Sequence, residues 1–275
     1  MGSEMCIRDR NLWGGSYQCN LCPAGHTGSD EGVEKRDTED GDCMIKGAIF
    51  DVDGTILDSM SIWDEAGSRY LRAKGIEAPS DLGDTLFAMT ITEAAAYLKE
   101  KFALEETTDA IEKGVLDTVK DYYYEEAPLK SKVVEVLEML KSNKIPMAVA
   151  SSSEKAHIEA AFQRLGIRKY FQVIYTCQEV GEGKSSPLIF EKACESIGTT
   201  PNETYVFEDA LHAMRTAKNA GFRTVGIYDW YSRKEQEEIR KTADIYIESW
   251  EQHSKLWQVL ENDRENSKNM IEPKK

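Results

Sequence analysis

Two aspartates follow one apolar segment at a spacing that can bring their carboxylates together. The segment Ile45–Phe50 has the apolar character of a short buried strand, and it ends directly in Asp51-Val52-Asp53. Because alternate side chains of an extended chain point the same way, the two carboxylates can meet at one point in space. Gly54 permits a sharp turn directly after them. Carboxylates held close together repel each other unless a proton or a cation lies between them, so this segment predicts a metal ion or a shared proton.

Further polar side chains follow the apolar segments later in the chain. They are Ser151 and Ser152 after 146–150, Lys184 in a glycine-containing loop, and Glu208 and Asp209 after 204–207. Ligands of an open parallel sheet bind beyond the carboxyl ends of its strands, so these side chains are predicted to collect at one edge. Carboxylate oxygens favour a hard divalent cation, and Mg²⁺ is the expected ion. A serine hydroxyl and a lysine suit a phosphate group.

The order of apolar segments predicts an α/β fold with a doubly wound parallel sheet. From Pro128 onward, short apolar strands alternate with helical patterns, which is typical of parallel sheets. Strands are expected at 45–50, 146–150, 171–175, 204–207, 224–227 and 245–247. Residues 61–126 lack strand-like alternation and have three segments of helical periodicity, so they predict a small α-helical cap domain inserted after the first strand.

The predicted domain boundaries follow from composition. We expect an α/β core at 44–60 and 127–262, the helical cap at 61–126, and a polar tail at 263–275. Residues 1–43 contain scattered glycines and acids without apolar periodicity, and their Ser3–Arg10 run resembles a translated sequencing-adapter string. They are interpreted as a disordered or artefactual leader, with Met44 as the natural start.

The leader also contains a cysteine pair. Cys19 and Cys22 have the spacing of half a zinc site, with His26 nearby. No second well-spaced pair completes the pattern, so unpaired thiols are expected and a zinc module is the minor alternative.

Composition narrows the classes of function. The chain has 275 residues, 41% of them hydrophobic, and a formal net charge of −15. This charge argues against nucleic acid or an anionic membrane as the main partner, because both bind basic surfaces. The sequence has neither an apolar run long enough to cross a membrane nor a secretory pattern at its N-terminus, so a cytoplasmic protein is expected. We expect a monomer or a weak dimer.

Four motifs in order make the chain similar to a known family. Residues 44–260 resemble the haloacid dehalogenase superfamily of phosphotransferases, in the branch of phosphatases and β-phosphoglucomutases with a small helical cap. The motifs are, in order, Asp51-Val-Asp-Gly-Thr55, Ser151, Lys184 and Glu208-Asp209. The resemblance implies a Rossmann-like core and a Mg²⁺-dependent phosphatase acting on a small phosphorylated metabolite, such as a sugar, nucleotide-like or flavin-pathway phosphate.

The resemblance also implies a role for each motif residue. Asp51 is the nucleophile that becomes an aspartyl phosphate, and Asp53 is the acid and base for the leaving oxygen and the attacking water. Mg²⁺ is held by Asp51, the backbone carbonyl of Asp53 and Asp209, with Glu208 as a direct or water-mediated ligand. Phosphoryl oxygens are bound by Gly54 and Thr55 through backbone donors and by Ser151, Ser152 and Lys184.

Two departures from the family pattern bear on the reaction. The third motif continues Lys184-Ser-Ser-Pro187, whereas the family commonly has proline directly after the lysine, so the loop geometry stays open. Sugar-phosphate mutases of this branch have a cap histidine twelve residues after the nucleophile, and Trp63 stands there in this chain. Tryptophan cannot shuttle a proton as histidine does, which favours hydrolysis. Trp63 is interpreted as cap core or as a substrate contact.

Two alternatives to a phosphatase follow from these patterns. One is a sugar-phosphate mutase of the β-phosphoglucomutase type, and the other is a catalytically weak binding protein that keeps the fold. The remaining conspicuous side chains are assigned to packing or to the surface, because the implied chemistry requires none of them: His157, His212 and the run Tyr122-Tyr123-Tyr124.

Overall fold

A parallel sheet forms the centre of the molecule. The computed structural model describes residues 45–260 except residues 88, 255 and 259. Its strands are β1 (Gly47–Phe50), β2 (Met147–Ser151), β3 (Phe171–Thr176), β4 (Thr204–Glu208), β5 (Arg223–Ile227) and β6 (Ile245–Ile247). Every neighbouring pair runs parallel, in the order β3-β2-β1-β4-β5-β6. The strand that precedes the two aspartates is therefore central in the sheet.

The alternation of side chains along the strands builds an apolar layer on each face of the sheet. In β1, Phe50 belongs to one buried cluster and Ile49 to another. The Phe50 ring stacks on Phe207 of β4 with centroids 4.3 Å apart. The Trp250 ring also stacks on Phe207, with centroids 5.8 Å apart. Strands buried on both faces read as continuous apolar runs, which is why the sequence predicted them well.

Helices cover both faces of the sheet. They are α5 (Val133–Ser142), α6 (Lys155–Arg164), α7 (Cys177–Val180), α8 (Leu188–Ser196), α9 (Leu211–Asn219) and α10 (Gln236–Thr242). Their numbers begin at five because the four helices of an insert, described below, precede them in the chain. The buried sides of α5 and α6 join the cluster of Phe50, whereas α8 and α9 join the cluster of Ile49. The predicted doubly wound α/β fold is confirmed.

A helical insert separates β1 from α5. It consists of α1 (Ser61–Ala73), α2 (Leu82–Phe87), α3 (Ile91–Lys101) and α4 (Thr108–Glu125). A capping box begins α3, since the Thr90 hydroxyl accepts from the Glu93 N–H and the Glu93 carboxylate accepts from the Thr90 N–H. The inserted helical cap is confirmed, but it has one helix more than predicted, because the six residues of α2 are too few to show a period.

Parts of the sequence interpretation fall outside the described residues. The leader at 1–43, its cysteine pair and the polar tail at 263–275 lie there, so these predictions stay as they were. A 3₁₀ turn at Trp250–Gln252 follows the last strand. In the described part of the chain, no helix is both long and apolar enough to cross a membrane.

Candidate functional site

The register of the central strands places three carboxylates side by side. Phe50 of β1 pairs with Phe207 of β4, and the Asp51 N–H donates to the Phe207 carbonyl at 3.0 Å. β1 ends at Phe50 and β4 ends one pair further on, at Glu208, so Asp51 comes beside Glu208 and Asp209. All three are buried, and one carboxylate oxygen from each lies within 4.8 Å of the others. The first and fourth sequence motifs thus lie together at the carboxyl ends of neighbouring strands.

Lys184 lies between two of these carboxylates. Its Nζ is 2.5 Å from Asp51 Oδ1 and also forms an ion pair with Glu208 Oε1. The second oxygen of Glu208 accepts from the Ala210 N–H at 3.1 Å, which orients the carboxylate. The lysine side chain is about 4% exposed, so it is a buried cation held in place and not a mobile loop residue.

Burial and mutual repulsion shift the pKa values of the cluster. Burial raises the pKa of Asp51 to about 7, and Lys184 opposes this shift while Glu208 and Asp53 add to it. The pKa of Asp209 is also raised well above its usual range, by burial and then by the charges of Asp51 and Glu208. Burial alone would lower the pKa of Lys184, but Asp51 and Glu208 outweigh it and keep the ammonium charged.

The carboxylate cluster fits a hard divalent cation. Three acidic side chains with one intervening ammonium leave excess negative charge in a buried place, which a bound cation would offset. All the donors are carboxylate oxygens, the set that Mg²⁺ prefers. The cluster comprises Asp51, Glu208 and Asp209 but not the Asp53 side chain, consistent with the expectation that Asp53 would use its backbone carbonyl.

The Asp53 side chain is held by hydroxyl groups instead. Ser59 Oγ donates to Asp53 Oδ1 at 2.5 Å, and the Tyr123 hydroxyl donates to the same oxygen. Ser153 Oγ donates to Oδ2. The two aspartates therefore have different surroundings, a lysine and two acids for Asp51 and three hydroxyls for Asp53. This difference suits two separate chemical roles.

The turn after Asp53 depends on a glycine. Gly54 has φ of 85°, in the region that disfavours other residues, and its N–H donates to the Leu57 carbonyl at 2.9 Å. The Thr55 N–H donates to the Val52 carbonyl at 3.3 Å. Both amides predicted as phosphate donors are thus used within the turn. The buried Thr55 Oγ1 has no hydrogen-bond partner among the described residues, so it is the atom at this position best suited to a ligand.

Gly54→Ala should damage both folding and the metal cluster. A Cβ here would collide with the Asp209 carboxylate, and the positive φ would be strained, at a cost of about 1–3 kcal/mol of unfolding free energy. We expect a lower melting temperature together with weaker Mg²⁺ binding, measured by thermal unfolding over a Mg²⁺ titration. Gly221→Ala is the matched control, because Gly221 has φ of 86° and its nearest described neighbour, Pro201 Cβ, would lie 3.9 Å away. Equal Mg²⁺ affinity in the two variants would contradict the role of Gly54.

Ser151 and its neighbours form a turn at the end of β2. Ser151 is buried, and its Oγ accepts from the Ser153 N–H at 3.0 Å, which leaves the hydroxyl proton for an anion. Ser152 is exposed, and its Oγ lies 3.5 Å from Cys177 Sγ. Of the two serines predicted to bind phosphate, Ser151 has the more suitable environment, and both assignments remain predictions.

The sequence of this chain matches a known protein family. Residues 48–227 match the family described as haloacid dehalogenase-like hydrolase. The chain belongs to this family. The predicted superfamily resemblance is therefore confirmed.

Individual relatives of this hydrolase act on phosphorylated compounds. A phosphorylated carbohydrates phosphatase of Thermotoga maritima is 28% identical over 181 residues, covering 66% of this chain and 84% of that protein. Fructose-1-phosphate phosphatase of Escherichia coli is 33% identical over 152 residues, covering 52% of this chain and 76% of that protein. The family and these relatives confirm the prediction of a phosphoric monoester hydrolase.

Solved structures support the same family and fold. A Thermotoga maritima protein assigned as a β-phosphoglucomutase superposes with a TM-score of 0.68 at 25% identity, covering 78% of this hydrolase and 98% of that chain. The protein called CbbY from Rhodobacter sphaeroides, solved with phosphate, superposes with a TM-score of 0.59 at 25% identity. The match covers 75% of this hydrolase and 95% of that chain. The fold of this hydrolase is thus shared with both of these proteins.

Sequence reasoning missed the hydroxyls around Asp53. It assigned no role to the tyrosine run, yet Tyr123 contacts Asp53, while Tyr122 donates to the Asp58 carbonyl at 3.2 Å and Tyr124 lies at the surface.

His157 packs against Tyr123, as a packing residue should. Burial, with Lys184 adding to it, lowers the pKa of His212 to about 4. Trp63 is partly buried and packs against the main cluster, and its substrate contact stays a prediction.

Proposed function

We propose that this hydrolase is a Mg²⁺-dependent phosphatase that transfers the phosphoryl group of a small metabolite to Asp51 and then to water. The observation that carries the proposal is the buried cluster at the strand ends, where Lys184 contacts Asp51 and Glu208 and Asp209 lies beside them. Phosphoryl transfer needs positioned groups that neutralise charge more than it needs covalent chemistry. This cluster supplies a nucleophile, a fixed cation and a place for a second cation.

The first step transfers the phosphoryl group to the protein. An Asp51 carboxylate oxygen forms a bond to phosphorus, and the bond from phosphorus to the ester oxygen breaks. The electron pair of that bond stays on the leaving oxygen, which takes a proton from Asp53. Lys184 reduces the repulsion between the Asp51 carboxylate and the phosphate dianion.

The second step returns the enzyme to its initial state. A water oxygen attacks phosphorus while Asp53 accepts its proton, and the bond between phosphorus and Asp51 breaks with its electron pair returning to the carboxylate. Inorganic phosphate leaves. The hydroxyl groups around Asp53 can donate to its ionised form and accept from its protonated form, which suits a group that alternates between the two.

Three side chains are suited to the phosphoryl oxygens. Lys184 brings a charge, Ser151 has a hydroxyl proton to donate, and the buried Thr55 hydroxyl lacks a partner among the described residues. Donors that are already fixed in a buried site stabilise developing charge without having to reorganise.

Removal of divalent metal should stop the reaction. Mg²⁺ held by Asp51, Glu208 and Asp209 would stabilise the charge on the transferring phosphoryl group, so excess chelator should lower phosphate release by at least about 10²-fold. Added Mg²⁺ should restore it. Mg²⁺ should also raise the melting temperature of the wild type and have a weaker effect on Asp209→Asn. Full activity in chelator would contradict the metal assignment.

The substrate is proposed to be a sugar phosphate. Phosphatases of phosphorylated carbohydrates and of fructose 1-phosphate are among the relatives, and the helical insert would close over the site and select the substrate. Nucleotide-like and flavin-pathway phosphates form the comparison set. The experiment expresses the protein in the cytoplasm of a host, purifies it, and measures phosphate release from a panel of these compounds in the presence of Mg²⁺. Release from no member, including aryl phosphates, would favour a binding protein that keeps the fold.

A mutase is the second candidate, because a structure assigned as β-phosphoglucomutase shares the fold at 25% identity. Trp63 argues against it, since the mutase pattern has a proton-transferring histidine at this position. Incubation with a hexose 1-phosphate separates the two reactions. A phosphatase releases inorganic phosphate and the free sugar, whereas a mutase forms the 6-phosphate isomer.

A further inference from the structure

One tyrosine of the helical insert reaches the predicted acid and base of the core. Tyr123 lies near the end of α4 and is fully buried. Its hydroxyl donates to Asp53 Oδ1 and lies 3.4 Å from Ser153 Oγ, which donates to Asp53 Oδ2. Both carboxylate oxygens of Asp53 are thus joined to one hydroxyl network that spans the insert and the core.

Tyr123 is fixed against the core at three points. Its ring stacks on His157 of α6, with centroids 5.4 Å apart and an interplanar angle of 23°. Its backbone carbonyl accepts from Arg164 Nη2 at 3.2 Å, and the same nitrogen donates to the Ala127 carbonyl at 2.7 Å. Because ring, backbone and hydroxyl are all held, the hydroxyl offers Asp53 a fixed point and not a variable contact.

We propose that Tyr123 is the positioning residue that aims the Asp53 carboxyl group at the leaving oxygen. The inference rests on the proposed function, in which Asp53 is the acid of the first step. Ser59 donates to the same oxygen as Tyr123, but both serines lie on the core loops that carry or face Asp53. Tyr123 is the partner that comes from the helical insert, so it ties the direction of the carboxyl group to the position of the insert.

This role makes a specific prediction about leaving groups. Breaking the ester bond of 4-nitrophenyl phosphate releases an anion that is stable without a proton. Phenyl phosphate has nearly the same size, but its leaving oxygen has a pKa near that of tyrosine, about 10, and benefits more from the Asp53 proton. A misaimed Asp53 should therefore harm the phenyl ester more than the nitrophenyl ester. A general packing defect should harm both equally.

The experiment compares Tyr123→Phe with Tyr124→Phe on the two esters with saturating Mg²⁺. Phenylalanine keeps the ring against His157 and removes the hydroxyl, whereas Tyr124 is 36% exposed and touches His157 at its edge. For Tyr123→Phe, kcat/KM should fall about 10-fold or more on phenyl phosphate, as expected for loss of a hydrogen bond to a charged group. On 4-nitrophenyl phosphate it should fall by less than about 3-fold. Tyr124→Phe should match the wild type on both.

Two other readouts keep the test decisive. Ser153→Ala removes the partner of Asp53 Oδ2 and should increase leaving-group dependence in the same direction. The Mg²⁺ concentration for half-maximal activity should be unchanged in Tyr123→Phe. Equal losses on the two esters, no loss on either, or the same selectivity change in Tyr124→Phe would overturn the role of Tyr123. A wild type that releases phosphate from neither ester would instead overturn the proposed function.

Discussion

Asp51→Asn should abolish phosphatase activity, with kcat/KM lowered by at least about 10⁴-fold, the scale on which loss of a nucleophile acts. The asparagine amide is a poor nucleophile and cannot form the acyl phosphate. The variant should still fold, because Lys184 keeps its ion pair with Glu208 and repulsion among the buried acids falls. Phosphate release from 4-nitrophenyl phosphate, with thermal unfolding as the check on folding, measures this effect.

Asp58→Asn is the matched control for this change. Asp58 lies in the same segment with an exposed side chain, and the same chemical substitution there should leave activity within about 2-fold of the wild type, as surface substitutions usually do. If Asp51→Asn retained a tenth of the activity, Asp51 could not be the group that accepts the phosphoryl.

The second large effect is expected for Lys184→Met. Methionine keeps much of the side-chain volume but removes the charge that lies between Asp51 and Glu208. Loss of a charged group that stabilises the transition state should lower kcat/KM by about 10²–10³-fold. The metal-free variant should also lose about 3 kcal/mol of unfolding free energy at neutral pH, since it leaves buried carboxylates without their cation.

The pH dependence of that stability loss has a definite sign. Burial raises the pKa of Asp51 to about 7 even with Lys184 present, and removal of the lysine raises it further. Below about pH 6 the carboxyl group takes up a proton, so the variant should differ less from the wild type there than above about pH 8. Added Mg²⁺ should recover more stability in Lys184→Met than in the wild type.

Thermal unfolding of both proteins with and without Mg²⁺ checks these statements. Lys192→Met, on the helix that follows the same loop, removes a partly exposed lysine and should change neither stability nor activity by much. Unchanged activity in Lys184→Met would show that this cation serves the fold alone.

The sheet and the motif residues could be predicted because local patterns encode them. Strands buried on both faces, such as β1 and β4, form continuous apolar runs, and ligands of parallel sheets collect at the carboxyl ends. Asp51 and Glu208 therefore had to lie near each other once their strands were neighbours. Lys184 was expected at the same edge because its loop follows a predicted strand, but its burial between Asp51 and Glu208 could not be derived from the loop residues.

The surroundings of Asp53 could not be predicted, because they depend on how the insert packs on the core. Tyr122, Tyr123 and Tyr124 have the same side chain, and which one faces Asp53 depends on the rotation of α4 against α6. The turn after Asp53 shows a similar limit. Gly54 and Thr55 match the family motif, yet their amides are satisfied within the turn, a detail of backbone geometry that residue types do not reveal.

Trapping the phosphoryl group on the protein is the sharpest test of Asp51 as the nucleophile. The Asp53→Asn variant, which lacks the base for the second step, is mixed with phosphorus-labelled 4-nitrophenyl phosphate, quenched in acid and treated with borohydride, which reduces an acyl phosphate to an alcohol. We expect labelled protein before reduction, and homoserine at position 51 in the peptide map after it. Turnover by the wild type with no label on either protein, or a label on another residue, would contradict Asp51 as the phosphoryl acceptor.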